Sequence, residues 1–199
     1  MPALKKNLPK HTYSGDQWLT MSTNKKYLAN DFDHRCAYCD DHDQYNGGKQ
    51  TYQVDHFAPV SKFPELKHTY ENLMYACPYC NGSKRDTWVS DNAAISVVDS
   101  EGFISPCSKE YSQHLVRNDN GTISATTPLG EYMHRHLKLY LQRHSIIYSL
   151  DRIDELCDLI EAKIGKDEKA GVDVTKLRCI HSQITTQLRK YYKALYNAK

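Results

Sequence analysis

The chain has 199 residues, is 40% hydrophobic and 25% charged, and carries a formal net charge of +2. This suits one compact unit with a real core and perhaps an appendage, and it excludes a general positive field, so any grip on a phosphate backbone must come from local patches. No apolar run follows the first residues and no stretch approaches the length of a membrane-spanning helix, so the expected setting is a reducing cytoplasm without membrane attachment.

Residues 1–15 contain Pro2, Pro9, Ser14 and Gly15 without a clear period and read as an extended arm. Asp16 is placed to cap a helix running to about Asn30, with Trp18, Leu19, Tyr27 and Leu28 on its apolar side. His34-Arg35 lead into a first C-x-x-C, Cys36-Ala-Tyr-Cys39. A polar stretch then ends in Asn46-Gly47-Gly48, a turn signal. Thr51-Tyr52-Gln53-Val54 predicts a short strand that delivers Asp55-His56 at its end. Residues 57–70 form a loop with two prolines, and Leu73-Met-Tyr-Ala76 makes a second strand into Cys77-Pro-Tyr-Cys80. A helix from Asn81 to about Trp88 completes a β-β-α unit.

Beyond residue 90 the pattern is mixed, with strand candidates at 95–98 and 121–126 and turn signals at Gly102, Gly121 and Pro128. From Glu131 to Ile164 it becomes helical, but its apolar face moves, which predicts a break near residues 145–149 or two halves with different partners. Residues 165–171 are charged and bounded by glycines, hence a turn. The last helix, from about Val174 to Asn197, carries a stripe of Leu177, Ile180, Ile184, Leu188, Tyr191 and Leu195, with Arg178, Arg189, Lys190 and Lys193 facing away. The two segments predict a helical hairpin. The fold class is α+β. The expected parts are an arm and helix (1–35), a core (36–90), and a mixed then helical region (91–199) packing on that core.

Seven cysteines in a reducing compartment point to metal rather than disulfides. Cys36, Cys39, Cys77 and Cys80 suit one tetrahedral Zn²⁺, structural because four thiolates leave no position for water. Cys107, Cys157 and Cys179 are isolated and expected as packed thiols. Between the pairs lies chemistry that a plain zinc module does not need. An imidazole can exchange a proton near neutral pH, so His56 suits deprotonation of a water. Asp55 and Asn81 offer hard oxygens for Mg²⁺ or Mn²⁺. Lys84, one helical turn past Asn81, and Arg85 are placed to meet a phosphate.

This stretch resembles the HNH endonuclease family, in the form whose ββα-metal unit is clamped by a four-cysteine zinc. The shared pattern is C-x-x-C, Asp55-His56 with Pro59 three residues on, Asn72-Leu73, then C-x-x-C followed by Asn81 and Lys84. Asn81 stands where founding members have a last His, as in the H-N-N variant. The resemblance implies metal-dependent hydrolysis of DNA, with His56 as base, Asp55 and Asn81 on the catalytic ion, and Asn72 bracing the loop that orients His56. The run from Asp55 to Leu66 also resembles HNH effectors of Septu-type anti-phage systems, including those attached to retrons, and this implies an ATPase partner protein. The competing expectations are a non-catalytic zinc module that binds nucleic acid or protein, and a stand-alone restriction-type enzyme.

Overall fold

The computed structural model describes residues 3–13 and 21–198, so Asp16, Trp18 and Leu19 lie outside the described residues. The chain forms two compact units, Met1–Leu141 and Gln142–Lys199. The first is mixed α and β, and the second is helical.

Helix α1 (Met21–Asp31) buries Leu28 and Ala29, with Phe32 just beyond its end. Strands β1 (Gln53–His56) and β2 (Leu73–Ala76) pair antiparallel, with Asp55 opposite Met74 and His56 opposite Leu73. Helix α2 (Pro78–Lys84) follows directly. It starts and stops earlier than the sequence predicts. Pro78 sits in the first turn, where its fixed φ is already helical, and the Cys77 sulfur accepts the Cys80 N–H as a cap. Arg85 takes a φ of 50° and ends the helix.

Two further ribbons follow. β3 (Val97–Val98) pairs with β4 (Glu101–Gly102), so only the end of the predicted 95–98 strand is ladder. Gly102 has a φ of +119°, and a Cβ there would lie 2.1 Å from the Ser96 carbonyl oxygen, so the turn requires glycine. A short helix α3 (Tyr111–His114) leads into β5 (Leu115–Arg117), which pairs with β6 (Ile123–Ala125). β6 falls within the predicted 121–126 strand, but its partner carries too weak an alternation to be seen in sequence.

The helical region breaks at residues 137–141 rather than near 145–149. Helix α4 (Pro128–His136) begins with Thr127, whose hydroxyl accepts the Gly130 N–H at 3.0 Å, and with Pro128 in the first turn. Lys138 takes a φ of 54°, which stops any continuation. Helix α5 (Gln142–Lys169) then runs through Gly165, expected as a turn, and α6 (Thr175–Asn197) packs against it as the predicted hairpin. The i, i+4 salt bridge Lys163–Asp167 spans that glycine, and Glu168 beyond it pairs with Arg178 of α6. Among the described residues, no helix is long and apolar enough to cross a membrane.

The core of the first unit surrounds the four paired cysteines, with Tyr38, Tyr52, Tyr75, Phe103, Tyr111 and Met133 packed about them. The first knuckle turns tightly inside this core, so its carbonyls cannot reach water and need donors. Side chains from distant positions supply them. The Ala37 carbonyl accepts from Lys5, Tyr38 from Tyr111, Cys39 from Arg117, Asp40 from Arg35, and Asp41 from Tyr52. Five successive carbonyls are thereby tied to the arm, to Arg35, to the residue before β1, and to α3 and the strand that follows it.

Candidate active site

Cys36, Cys39, Cys77 and Cys80 are buried, free of disulfides, and their sulfurs lie within 4.8 Å of one another. A tetrahedron with Zn–S bonds of about 2.3 Å has edges of about 3.8 Å. The Cys39 and Cys77 sulfurs are 3.8 Å apart. Backbone N–H groups point at two of the sulfurs, Cys77 N–H at Cys36 (3.3 Å) and Cys80 N–H at Cys77 (3.4 Å). Four thiolates with one Zn²⁺ keep a net negative charge, and the buried cations Lys5, Arg35 and Arg117 bind the knuckle carbonyls around them. The donor set therefore fits a structural zinc. Of the isolated thiols, Cys157 is buried and Cys107 half-buried, but Cys179 is exposed on α6, contrary to the expectation of packing.

The knuckles position β1 and α2 so that an open groove forms between them, lined by Asp55 and His56 from β1, Pro59 to Ser61 from the loop, and Asn81, Gly82 and Arg85 from α2. The His56 Nε2 lies 3.0 Å from the Lys67 carbonyl oxygen. A carbonyl only accepts, so Nε2 carries the hydrogen and Nδ1 keeps the lone pair. The base-competent nitrogen is thus set by backbone geometry.

Asn72 is buried and makes a two-point clamp on the backbone of one residue. Its Oδ1 accepts the Ala58 N–H at 2.8 Å, and its Nδ2 donates to the Ala58 carbonyl at 3.0 Å. A third contact, 3.4 Å, reaches the Leu66 carbonyl. Both ends of the loop that carries Lys67 are therefore pinned, and Phe63 and Trp88 pack with Ala58 beneath it.

Asp55 and Lys84 differ from expectation. Lys84 is 0% exposed, so it cannot meet a phosphate. Its Nζ lies 3.1 Å from Asp55 Oδ2 and 3.3 Å from Oδ1, and it donates to the His56 carbonyl at 2.8 Å. The physical reason is charge: an ammonium is buried only against a compensating carboxylate. Tyr38 donates its hydroxyl to the same carboxylate. Burial pushes the Asp55 carboxyl above the usual carboxylate range, opposed by Lys84 and by the Tyr38 hydrogen bond. Asp55 is thus not a free ligand. It borders the groove while its oxygens are held from behind.

Asn81 shares the groove wall. Its Nδ2 donates to Gln53 Oε1 at 2.5 Å, which turns the amide oxygen away from Gln53. Gln53 and Asp55 are two apart on one strand and so share a face. Arg85 is exposed at the groove edge, its Nε bonded to the Gly82 carbonyl at 3.1 Å. Asp55 and Asn81 offer hard oxygens on one groove wall, of a kind that suits Mg²⁺ or Mn²⁺, and an ion there would share the Asp55 carboxylate with Lys84 and Tyr38.

Residues 36–87 match the HNH endonuclease family. The matched span runs from the first cysteine of the clamp to just past Arg85, so the HNH region contains the groove and the four-cysteine cluster together. No curated protein and no solved structure matches the chain. Tyr38 and Gln53 are site residues of the HNH region that sequence reasoning missed. For Gln53 a signal existed, its i, i+2 spacing from Asp55. Tyr38 gave none beyond its place between two ligands.

Proposed function

We propose that this protein is a metal-dependent HNH endonuclease that hydrolyses phosphodiester bonds of DNA. One observation carries the reading: the Nε2–H of His56 is spent on the Lys67 carbonyl, which leaves Nδ1 as a base on the wall of an open groove. In the reaction a water gives its proton to Nδ1 as its oxygen bonds to phosphorus. The bond from phosphorus to the 3′ oxygen breaks, that oxygen takes a proton from solvent, and the 5′ side keeps the phosphate. Asn72 holds the loop that fixes the imidazole, and Arg85 meets the phosphate at the rim. Asp55 and Asn81 would hold the divalent ion, which supplies charge neutralisation at the phosphate and the departing oxygen.

Plasmid cleavage in Mg²⁺ tests this. His56→Ala should abolish cleavage and leave zinc content unchanged. Full activity in that variant would remove the mechanism, whereas a native protein that never cleaves and whose DNA binding ignores both His56 and Mg²⁺ would favour a zinc-stabilised binding module.

The resemblance of the Asp55 to Leu66 run to Septu-type effectors supports an anti-phage setting in which an ATPase partner restrains or delivers the nuclease. Co-purification with such an ATPase is the expected result. Strong cleavage and phage resistance from this chain alone would overturn the partnership.

A further inference from the structure

We infer that the outer face of α6 is a second contact surface for the phosphate backbone of duplex DNA, separate from the groove that holds His56. Helix α6 has five Lys or Arg side chains and no Asp or Glu along its 23 residues. Its neighbour α5 carries most of the acid of the hairpin, seven Asp or Glu against five Lys or Arg. Part of that acid is spent on the near end of α6, where Glu168 binds Arg178 and Glu161 lies 3.1 Å from His181. The far end is different. Among the described residues, no carboxylate lies in ion-pair range of Arg189, Lys190 or Lys193.

The placement of these three follows from the helix period. Ile184, Leu188, Tyr191 and Leu195 are half-buried and form the row turned towards α5. Arg189, Lys193 and Tyr196 recur at i, i+4 and i+7 on the opposite side, with Lys190 beside them, and all are exposed, Tyr196 to 91%. A helix that needed only solubility would mix both signs of charge. A one-sign row, about 10 Å long from Arg189 to Tyr196 by helical rise, spans adjacent phosphates of one strand. Tyr196 adds a phenol hydroxyl of the kind that hydrogen-bonds phosphate oxygens. Phosphate contacts of this type hold and orient a duplex without reading its sequence.

The inference rests on the nuclease reading, because it supplies grip for the same substrate, but its test does not depend on cleavage. Binding of a labelled duplex by the full chain is measured without Mg²⁺, from about 50 to 200 mM salt, for the native protein and for the triple variant Arg189→Gln, Lys190→Gln, Lys193→Gln. Three lost contacts should make the plot of log affinity against log salt shallower by about 2 to 3, and affinity at the low-salt end should fall at least about tenfold. With Mg²⁺ and saturating DNA, the variant should cleave at the native rate, and its helical circular dichroism should match the native protein. Unchanged affinity and salt slope would overturn the proposal and leave the face to an acidic protein surface. A native protein that binds with the expected slope but never cleaves would instead sink the nuclease reading and leave this surface standing.

Discussion

Lys84 Nζ sits 3.1 Å from Asp55 Oδ2 and 2.8 Å from the His56 carbonyl, so one buried ammonium ties together the two residues that end β1. Lys84→Met removes the charge and keeps the bulk. It should cost about 3–5 kcal/mol, because Asp55 is left buried without its partner. Thermal melting measures this. Cleavage rate at saturating DNA should fall at least tenfold while DNA affinity and its salt dependence hold. The double variant Lys84→Met, Asp55→Asn should regain much of the stability and none of the cleavage. A variant that melts normally but binds DNA weakly would show that Lys84 reaches outward to phosphate after all.

Asn72→Ala deletes both bonds to the Ala58 backbone and strands its buried N–H and C=O. The expected loss is about 2–3 kcal/mol. It should be concentrated in the loop, so amide exchange at Ala58 should accelerate more than exchange in β2, and cleavage should drop with zinc retained. Asn72→Asp keeps the acceptor and loses the donor, and should fall between the two.

The four-sulfur cluster predicts one zinc per chain, released together with four reactive thiols. Metal analysis and thiol titration before and after chelation check the count. Removing the ion should collapse the first unit, since the cysteines lie at the centre of its core. Zinc affinity should fall on acidification, because only thiolates bind. Retention of native melting after complete chelation would refute a structural role.

The thiols outside the cluster should separate by reactivity. Burial pushes the Cys107 thiol up to about 11, with Lys5 pulling the other way. Its sulfur lies 3.8 Å from His11 Nδ1. The folded protein therefore holds this proton more tightly than the unfolded chain. The stability that comes with it is present below about pH 9 and is lost as pH rises through about 11. At pH 8, iodoacetamide should label exposed Cys179 first, and Cys107 should react only as pH approaches 11 or on unfolding. Equal labelling at pH 8 would contradict the burial.

What could be read from residues alone was whatever depends on spacing. The paired C-x-x-C units, the strand ending in Asp55-His56 and the stripe of α6 each repeat a local period, and each is in place except that Ile180 of the stripe is exposed. What could not be read depends on distant partners. Lys84 looked like a phosphate contact because its spacing from Asn81 puts it one turn further along α2. That it turns inward is decided by Asp55, from another element. The donors to the knuckle carbonyls come from Lys5, Tyr111 and Arg117, which no local pattern links to Cys39. The break after α4 was misplaced for a related reason. It is made by the backbone of Lys138 at positive φ, in a segment rich in good helix formers.

The arm has an effect on the timing of synthesis. Ala3 bridges Val116, Lys5 caps the Ala37 carbonyl, and His11 Nε2 donates to the carbonyl of Leu73, the residue paired with His56. These first residues leave the ribosome well before their docking sites exist. A nascent chain can gather its cysteines once Cys80 is out, but the strap across the back of β2 cannot be fastened until Val116 has emerged. A protein assembled in this order is completed late, and fragments that stop short of that point lack the fastening behind the strand pair that carries Asp55 and His56.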